Sequence, residues 1–440
     1  MTSSADLFST DFLAEPYWWD AFKPAPLQLQ EPARVHDVAV VGGGYAGLAV
    51  ALEVARRGMS AIVFESGLFG DGASTRSGGA LSAGLSIGKS LTGKALDYPP
   101  QVVDMVVSWA RNAFEHLESF IRDEDISCNF ERRGRFLGAS ALRHYKWLEA
   151  RFEKLQRSGI TDCRLIGRDQ QRQEIGSDYY NGGLVFDTAA KLHPALLYEG
   201  FLKACLRQDG ITLADQTGVE QLTRDGNGWR LATTRGQFQA REVAVCTNGY
   251  TGNLVRQLHH RIVPVASHVI VTEEIPADLA RRISPNGRTF SETRRIMHYF
   301  RLTPDGRRVM FGGRSRFTQT PFELNARLLH EQLVRRFPEL EAVRVARAWQ
   351  GNVAFSGDAL PHAGEFDGVH YVTACCGSGV TMMPYLGMQV GRKIAGAMHG
   401  PSEFDQSALP PIPFYRGKPW FLPIVGTAFR IADFVDERLL

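Results

Sequence analysis

Three glycines and one acidic residue near the start of the sequence have the spacing of a dinucleotide-binding site. The glycines are Gly42, Gly44 and Gly47, and Glu65 follows about twenty residues after the first of them. In this G-x-G-x-x-G pattern the first glycine turns the chain, the second lets backbone approach a pyrophosphate, and the third packs helix against strand. The carboxylate accepts hydrogen bonds from ribose hydroxyls. The adjoining residues that we expect to contact the same ligand are Tyr45, Ala46 and Ser66.

A strand, a helix and a second strand surround these residues in the required order. An apolar β-branched run at 38–41 precedes the glycines, an alanine-rich helix ends near Gly58, and a second strand covers 61–64. The pyrophosphate would lie at the helix N-terminus, where unpaired N–H groups and the helix dipole attract anions. A glycine turn alone is weak evidence, but the complete unit in register predicts a nucleotide site.

A loop rich in glycine and serine at 70–93 follows the second strand and is longer than an ordinary connection. Small residues let its backbone wrap around a flat ligand, and Arg76 offers a charged donor. By itself such a loop is typical of a flexible surface segment. Its position directly after the ribose-binding strand predicts instead that it lies along the same dinucleotide. The expected contacts are Gly72, Ala73, Ser74, Arg76, Ser77, Gly78 and Gly79.

Length and composition indicate a two-domain globular protein rather than one that binds nucleic acid or spans a membrane. The chain has 440 residues, of which 44% are hydrophobic and 22% charged, and its net charge is +3. No apolar run approaches the roughly 20 residues of a membrane span, and 1–36 lacks the pattern of a signal peptide. The six cysteines have no metal-ligand spacing, which predicts reduced thiols, a cytoplasmic protein and no metal.

Helical and strand patterns predict an α/β fold with an α+β second domain. Nucleotide-type patterns lie at both ends of the chain, with amphipathic helices and alternating antiparallel strands between them. We therefore predict a discontinuous Rossmann-type domain and a substrate domain whose mixed, largely antiparallel sheet is flanked by helices. The predicted ranges are 36–95, 185–260 and 345–400 for the Rossmann-type domain, 96–184 and 261–344 for the substrate domain, 1–35 for an N-terminal extension and 401–440 for a C-terminal tail.

The order GGGYAGL…FES…GDGASTRSGG resembles the FAD-dependent amine and amino-acid oxidoreductases related to D-amino-acid oxidase and monomeric sarcosine oxidase. The segments WQGNVAFSGDALPHAG and CCGSGVTMMPYLGMQVG are similar to the closing motifs of that family. The segment ETRRIMHYFRLTPDGRRVMFGGRSRF is similar to a hairpin of the γ-glutamylputrescine oxidoreductase-like branch. The resemblance covers residues 16–398, and it implies that the dinucleotide is FAD.

The resemblance also implies where the remainder of FAD would lie and how it is held. Relatives attach FAD to a cysteine or a histidine, but 351–356 contains no cysteine, and Thr75 and Arg76 occupy the region of the histidine. We therefore expect non-covalent FAD. The further contacts that we expect on the strands that return to the cofactor are Val219, Thr247, Asn248 and Gly249.

A helix that begins near Gly379 should act on the flavin ring. Its free N–H groups and positive dipole would stabilise negative charge on the reduced ring. The alternative is a plain helix start with a serine cap. The predicted contacts are Gly377, Ser378, Gly379, Val380 and Thr381.

Substrate oxidation by hydride transfer to flavin N5 needs positioning more than acid–base catalysis. Arg301 could pair with a substrate carboxylate and Tyr299 could assist, because alternation along a strand puts both on one face. The same alternation puts His298 on the opposite face. His268, on another long strand, is a third candidate that could line the flavin. The alternative is a surface arginine, a core tyrosine and a structural histidine.

The predicted function is oxidation of a C–N bond in an amino acid or amine derivative, such as a γ-glutamyl amine or an N-substituted amino acid. The imine would hydrolyse to an aldehyde or keto acid plus an amine. Met310 stands where sarcosine oxidases carry a lysine that promotes oxygen reduction, so oxygen and another electron acceptor both stay open. A flavin hydroxylase, and a flavoprotein subunit of a larger electron-transfer complex, are the alternatives. No nucleic-acid partner is expected. The apolar tail 419–431 is expected to dock on the protein's own surface, and contact with a membrane is the alternative.

Overall fold

The computed structural model describes residues 7–27, 32–81, 100–157, 162–314, 316–318, 320–397 and 408–438. The second part of the predicted glycine and serine loop, 82–93, lies outside these ranges. No helix within the described ranges is long and apolar enough to cross a membrane.

The described residues form nineteen strands and nine α-helices. The strands are β1 (Phe8–Leu13), β2 (Val35–Val41), β3 (Ala61–Phe64), β4 (Ala80–Leu81), β5 (Arg135–Gly138), β6 (Cys163–Ile166), β7 (Gly183–Phe186), β8 (Ala190–Lys191), β9 (Ile211–Ala214), β10 (Val219–Asp225), β11 (Gly228–Thr233), β12 (Gly236–Val245), β13 (Val263–Thr272), β14 (Thr289–Glu292), β15 (His298–Leu302), β16 (Val309–Gly313), β17 (Val345–Phe355), β18 (His362–Phe366) and β19 (Val369–Thr373). The helices are α1 (Tyr45–Ala55), α2 (Pro100–Asp123), α3 (Leu142–Arg157), α4 (Pro194–Leu206), α5 (Arg256–His259), α6 (Ala277–Ile283), α7 (Phe322–Arg336), α8 (Gly379–Ile394) and α9 (Leu422–Arg438).

The first large sheet has the Rossmann-type arrangement that the sequence predicts. Its strand order is β10-β11-β12-β2-β3-β9, and β19 pairs with β12 and β18. Strands β12, β2, β3 and β9 run parallel, and β19 runs parallel to β12. Residues 38–41 of β2 and all of β3 are short apolar runs that are buried, as is typical of parallel strands covered on both faces.

The second large sheet has nine strands in the order β1-β17-β13-β16-β15-β14-β5-β7-β6. All its pairs are antiparallel except β1 with β17 and β14 with β5. Helix α7 packs on one face of this sheet, where an apolar cluster includes Leu329, Leu333 and Phe337. The mixed, largely antiparallel sheet therefore matches the prediction for the second domain.

The sheets divide the chain differently from the predicted ranges at two places. Strand β17 belongs to the nine-stranded sheet, although it lies within the predicted Rossmann-type range 345–400. Strand β1 pairs with β17, so the N-terminal segment is part of a sheet rather than an appended extension. Neither difference could be read from local pattern, because an edge strand is defined by a partner more than 300 residues away.

Helices α1 and α8 pack very closely beside the Rossmann-type sheet. A Cβ added to Gly387 would lie 2.4 Å from the carbonyl oxygen of Ala46, and one added to Gly391 would lie 2.7 Å from the side chain of Glu53. Between Gly387 and Gly391 on α8, the contact on α1 advances from Ala46 to Glu53, so the two helices run parallel. Both N-termini therefore point to the same side of the sheet.

Candidate functional site

One continuous cavity of about 880 Å³ extends from the Rossmann-type sheet to one face of the nine-stranded sheet. The N-termini of α1 and α8 both open into it, through Gly44 and Tyr45 and through Gly379 and Val380. Most of the predicted cofactor residues line this cavity, namely Gly42, Gly44, Tyr45, Ala46, Glu65, Ser66, Gly72, Ala73, Ser74, Arg76, Ser77, Gly78, Gly79, Val219, Thr247, Asn248, Gly377, Gly379 and Val380.

Four predicted cofactor residues lie behind the lining instead of in it. Gly47 supports the turn, since a Cβ there would lie 2.0 Å from the carbonyl oxygen of Gly42. Gly249 packs against Asn352, where a Cβ would lie 3.0 Å from the carbonyl oxygen. Ser378 and Thr381 hydrogen-bond within the helix start: the backbone N–H of Ser378 donates to Cys375, and the Thr381 hydroxyl donates to Ser378. Their contribution is to shape the backbone that faces the cavity.

The turn at Gly42 requires glycine for conformational and steric reasons. Its φ of +106° lies in the region that residues other than glycine rarely adopt, and a Cβ would lie 2.9 Å from the carbonyl oxygen of Cys246. The carboxylate of Glu65 accepts a hydrogen bond of 2.9 Å from the N–H of Gly43 and one of 3.1 Å from that of Gly67. These bonds hold the carboxylate at the cavity wall, beside the glycine turn.

The loop after β3 is held against α1 and against the N-terminal segment. The N–H of Tyr45 donates to Ser74 Oγ over 3.2 Å. Trp18 Nε1 donates to the carbonyl oxygen of Ser77 over 2.8 Å, and Trp19 Nε1 donates to Thr75 Oγ1 over 3.0 Å. The sequence analysis missed this role of the two tryptophans. The N-terminal segment PYWW at 16–19, which is similar to the same branch of relatives, could have suggested it.

Arg76 lines the cavity but is already engaged by the protein. Its Nε donates to the carbonyl oxygen of Asp71 over 2.7 Å, and its guanidinium lies 4.7 Å from the ring centre of Trp19. Burial lowers the pKa of this guanidinium. The side chain therefore fixes the loop and presents a partly buried positive charge to the cavity.

At the nine-stranded sheet, Tyr299 is the one predicted substrate residue that lines the cavity. Its ring covers Gly312 on the neighbouring strand β16 and Gly78 on the loop, since a Cβ on either glycine would lie within 2.8 Å of it. Its hydroxyl lies 3.2 Å from Ser267 Oγ on β13. Burial raises the pKa of Tyr299, which keeps this phenol protonated and able to donate.

The structure places Arg301 and His268 outside the cavity lining, contrary to the expectation. Nη1 of Arg301 donates to the carbonyl oxygens of Leu192, over 2.8 Å, and Gly79, over 3.1 Å. Arg301 lies on the expected face of β15, but its long side chain turns toward the backbone of other segments. His268 pairs in register with Gly313 and shares the opposite face with His298, because Ser267 and Val269 take the cavity face of β13.

Arg314 lines the cavity and is available for the role that the sequence analysis gave to Arg301, the binding of a substrate carboxylate. Its guanidinium lies 4.5 Å over the ring of Phe355, and among the described residues it has no ion pair with a carboxylate. Burial lowers its pKa, although the proximity of Tyr299 opposes that effect. Alternation could have found it, because Arg314 follows Gly312 by two residues and Gly312 pairs with Tyr299.

The cavity fits an extended dinucleotide with a flat ring at one end. Glycines cradle its middle, and no atom lies within 4 Å of a Cβ added to Gly377, where φ is +90°. Two helix N-termini supply N–H groups for negative charge. The described residues hold no cluster of histidine, cysteine and carboxylate side chains placed to bind a metal ion.

Comparison with known proteins gives a match along most of the chain. The DAO family model, described as FAD dependent oxidoreductase, matches residues 37–392. The γ-glutamylputrescine oxidoreductase of Escherichia coli K12 is 30% identical over 426 residues, covering 96% of this chain and 98% of that protein. The glycine oxidase of Geobacillus kaustophilus is 23% identical over 377 residues, covering 81% and 92% respectively.

Solved structures of two enzymes share the fold at low sequence identity. The crystal structure of glycine oxidase from Geobacillus kaustophilus has a TM-score of 0.69 at 19% identity, with 87% of this chain and 99% of that chain covered. The crystal structure of L-proline dehydrogenase from P. horikoshii has a TM-score of 0.69 at 18% identity, with coverage of 84% and 95%. Both show that this chain shares their fold.

Proposed function

The chain belongs to the DAO family of FAD dependent oxidoreductases, and from this premise we propose that it oxidises the C–N bond of an amine that carries a carboxylate. The observation that carries the proposal is Arg314, a cation without a described carboxylate partner that lines the cavity beside Tyr299. A guanidinium in this position can bind a substrate carboxylate through two parallel hydrogen bonds.

FAD is the cofactor, and we propose that it is bound without a covalent link. The residues around Gly42, Glu65 and Gly377 would hold it along the cavity. The cavity is lined by Cys375 and Cys376 at its ring end, but burial raises the pKa of Cys376 to about 12. A protonated thiol is a poor nucleophile, which supports the absence of a flavin linkage there.

The described residues at the nine-stranded sheet supply no general base to the cavity. Among the described residues, the carboxylates in the lining are Glu65, Asp71 and Glu220, which lie toward the Rossmann-type sheet, and no histidine or lysine of the described ranges lines it. When bound, FAD accepts the hydride of the carbon beside the substrate nitrogen, and the resulting imine then hydrolyses. The protein must therefore receive the amine neutral and hold it, with Tyr299 and Arg314 as the positioning groups.

The shape of the cavity supports an elongated substrate. Its lining crosses five adjacent strands, from Ser267 on β13 through Tyr299 and Ser291 to Leu137 on β5. Four steps between strands at about 4.8 Å give a width of roughly 19 Å. Arg135 and Arg151 line the far part, where burial and the charge of Arg151 lower the pKa of Arg135 to about 10.

Two substrate classes carry an amine and a carboxylate in this way, and the length of the cavity supports a γ-glutamyl amine, as the name of the 30%-identical relative also suggests. Its amine would lie near Tyr299 and its distant carboxylate near Arg135. An N-substituted amino acid is the second candidate, and it is favoured by Arg314, because its carboxylate would lie next to the oxidised carbon. Oxygen or another acceptor would take the electrons, and a role as a flavoprotein subunit is the remaining alternative. The six free, buried cysteines support a cytoplasmic location.

An anaerobic titration of the purified holoenzyme tests the proposal. The panel would contain γ-glutamylputrescine, putrescine, glycine, sarcosine and proline, and the signal would be the loss of flavin absorbance near about 450 nm. We expect bleaching by the carboxylate-bearing amines and much slower bleaching by putrescine. Rapid bleaching by NADPH, with none by any amine, would show a hydroxylase instead. Admitting air and measuring hydrogen peroxide would then identify the acceptor.

Short and long substrates separate the two substrate classes. Arg135→Gln should raise KM for γ-glutamylputrescine and leave sarcosine oxidation unchanged if the far end of the cavity binds the glutamyl carboxylate. Arg314→Met should affect sarcosine most if the near position is used. Equal effects of both variants on both substrates would contradict an extended binding mode.

A further inference from the structure

The C-terminal helix α9 is attached to the protein by its acidic residues. Asp433 accepts hydrogen bonds of 3.0 Å from the backbone N–H groups of Arg295 and Ile296. Asp436 pairs with Arg295 Nη1 over 2.6 Å, and Glu437 pairs with Arg294 over 2.9 Å. These are the acidic side chains of 408–438, and all of them point inward, with side chains no more than 11% exposed.

The opposite side of α9 is apolar and faces solvent. The exposed fractions are 62% for Trp420, 65% for Ile424, 61% for Ile431 and 50% for Phe434. We call these four residues the apolar stripe. Their spacing places them along one side of the helix and the turn before it. Phe414, at 91%, is exposed in the segment that leads to this turn. The helix thus presents apolar side chains to solvent as well as to the protein, where Leu422 and Phe429 are buried.

The exposed charges of this segment are all positive. Arg416, Lys418, Arg430 and Arg438 are exposed, whereas the three acidic residues are turned inward. The guanidinium of Arg438 lies 4.7 Å over the ring of Phe434, so a cation borders the stripe directly. An apolar strip with aromatic residues and bordering cations is the pattern of a helix that lies in a membrane interface.

We propose that the apolar stripe of α9 binds the surface of an anionic membrane, with the helix axis parallel to the bilayer. The stripe would enter the boundary between headgroups and acyl chains, and the four cations would contact anionic headgroups. A second copy of the chain fits less well, because symmetric contact of two such faces would bring these cations against the same cations, and the three carboxylates of 408–438 are turned inward.

The stripe lies apart from the catalytic cavity, since no residue of 408–438 lines it. Membrane binding would hold the enzyme at a lipid surface while its cavity still accepts substrate from solution. The proposal is independent of which amine is oxidised. Its failure would consequently leave the proposed function untouched, and failure of the proposed function would leave this surface in place.

Flotation of the full-length holoenzyme with lipid vesicles tests the proposal. Vesicles of phosphatidylglycerol and phosphatidylcholine should carry the enzyme, whereas vesicles of phosphatidylcholine alone should carry much less. The variant Ile424→Glu/Ile431→Glu should lower binding to the anionic vesicles by about tenfold or more. Arg430→Gln/Arg438→Gln should reduce the preference for anionic vesicles, and high salt should do the same.

The matched control is Leu206→Glu, which changes a 49%-exposed leucine at the end of α4 and should leave vesicle binding intact. Flavin absorbance and oxidation of a soluble amine report that each variant is folded, and both should be unchanged. Absence of wild-type binding to anionic vesicles, or equal binding by the Ile424→Glu/Ile431→Glu variant, would overturn the proposal. A dimer in light scattering that this variant dissociates would also overturn it, in favour of contact between two copies.

Discussion

The two faces of strand β15 both carry buried polar groups, but they differ in whether carboxylates accompany the cations. On the face toward α7, His298 and Arg336 surround Glu292, and all three side chains are almost fully buried. On the cavity face, Tyr299 and Arg314 lie together, and no described carboxylate pairs with the arginine. The first face is satisfied within the protein, while on the second we propose that a substrate carboxylate is the partner of Arg314. A buried charge that stabilises the fold is therefore distinguished from one that is free to bind a ligand by whether it has an oppositely charged partner, not by how deeply it is buried.

Removing a partner on the satisfied face should have the largest effect. Arg336 Nη2 lies 2.8 Å from Glu292 Oε2, so Arg336→Met would leave a buried carboxylate without its cation. We expect the free energy of unfolding to fall by about 3–5 kcal/mol, measured by urea denaturation with tryptophan fluorescence. The neighbouring Arg335→Met removes a 46%-exposed cation from Glu437, whose carboxylate keeps its pair with Arg294, and should cost about 1 kcal/mol or less. Equal losses in the two variants would contradict the comparison.

Removing the cation on the cavity face should affect activity and leave stability unchanged. Arg314→Met leaves no described carboxylate unpaired, so the denaturation midpoint should stay within error or rise. We expect kcat/KM for an amine whose carboxylate lies next to the oxidised carbon, such as sarcosine, to fall about 100-fold, because a charge-assisted bidentate pair is lost. The control Arg307→Met alters a 63%-exposed side chain of the same hairpin and should change neither property. A variant that unfolds easily yet oxidises normally would show that Arg314 is structural.

The satisfied face should also make stability depend on pH. Burial lowers the pKa of His298 to about 4 despite the nearby charge of Glu292, while the unfolded chain has a value of about 6.5. As pH falls from about 6.5 toward 4, the unfolded state takes up a proton that the folded state does not. Stability is thus present above pH 6.5 and is lost through this window, by about 3 kcal/mol.

Denaturation at several pH values checks this dependence. His298→Gln should flatten the stability curve between pH 6.5 and 4 relative to wild type, even if the variant is less stable at pH 7. Below this window the lowered pKa of Glu292, which the charge of Arg336 maintains against burial, should cause a further loss in both proteins. An unchanged slope in His298→Gln would assign the dependence to other buried histidines, such as His193, whose pKa burial lowers to about 4.

Most residues predicted for the cofactor end line one cavity, and the sequence could indicate them because the glycine pattern is local. Gly42, Gly44 and Gly47 lie within one turn between a strand and a helix, so their roles follow from spacing alone. The substrate end depends on which strands become neighbours. Alternation correctly placed Tyr299 and His298 on opposite faces. The side chain of Arg301, however, turns to donate a hydrogen bond to Leu192, a residue 109 positions away. Arg314 was missed because its position on the cavity face follows only from the pairing of Gly312 with Tyr299.

The smallest effect should come from Tyr299, which shares the cavity face with Arg314 but carries no charge. Tyr299→Phe removes the hydroxyl that lies 3.2 Å from Ser267 Oγ and keeps the ring that covers Gly312. A neutral hydrogen bond contributes about 1 kcal/mol, so the rate of flavin reduction should fall about five- to tenfold, measured by anaerobic stopped-flow absorbance.

Ser267→Ala distinguishes a direct role of this phenol from an indirect one. If Tyr299 donates to substrate, Ser267→Ala should leave the rate nearly unchanged, because the phenol stays free to turn toward the substrate. If the pair only stiffens the wall of the cavity, the two variants should behave alike. Neither variant should alter the pH profile, since burial raises the pKa of Tyr299 and the profile should follow the amine of the substrate. A pH profile that shifts in Tyr299→Phe would instead identify the tyrosine as the proton acceptor. The enzyme could then bind the substrate amine in its protonated form and deprotonate it in the cavity.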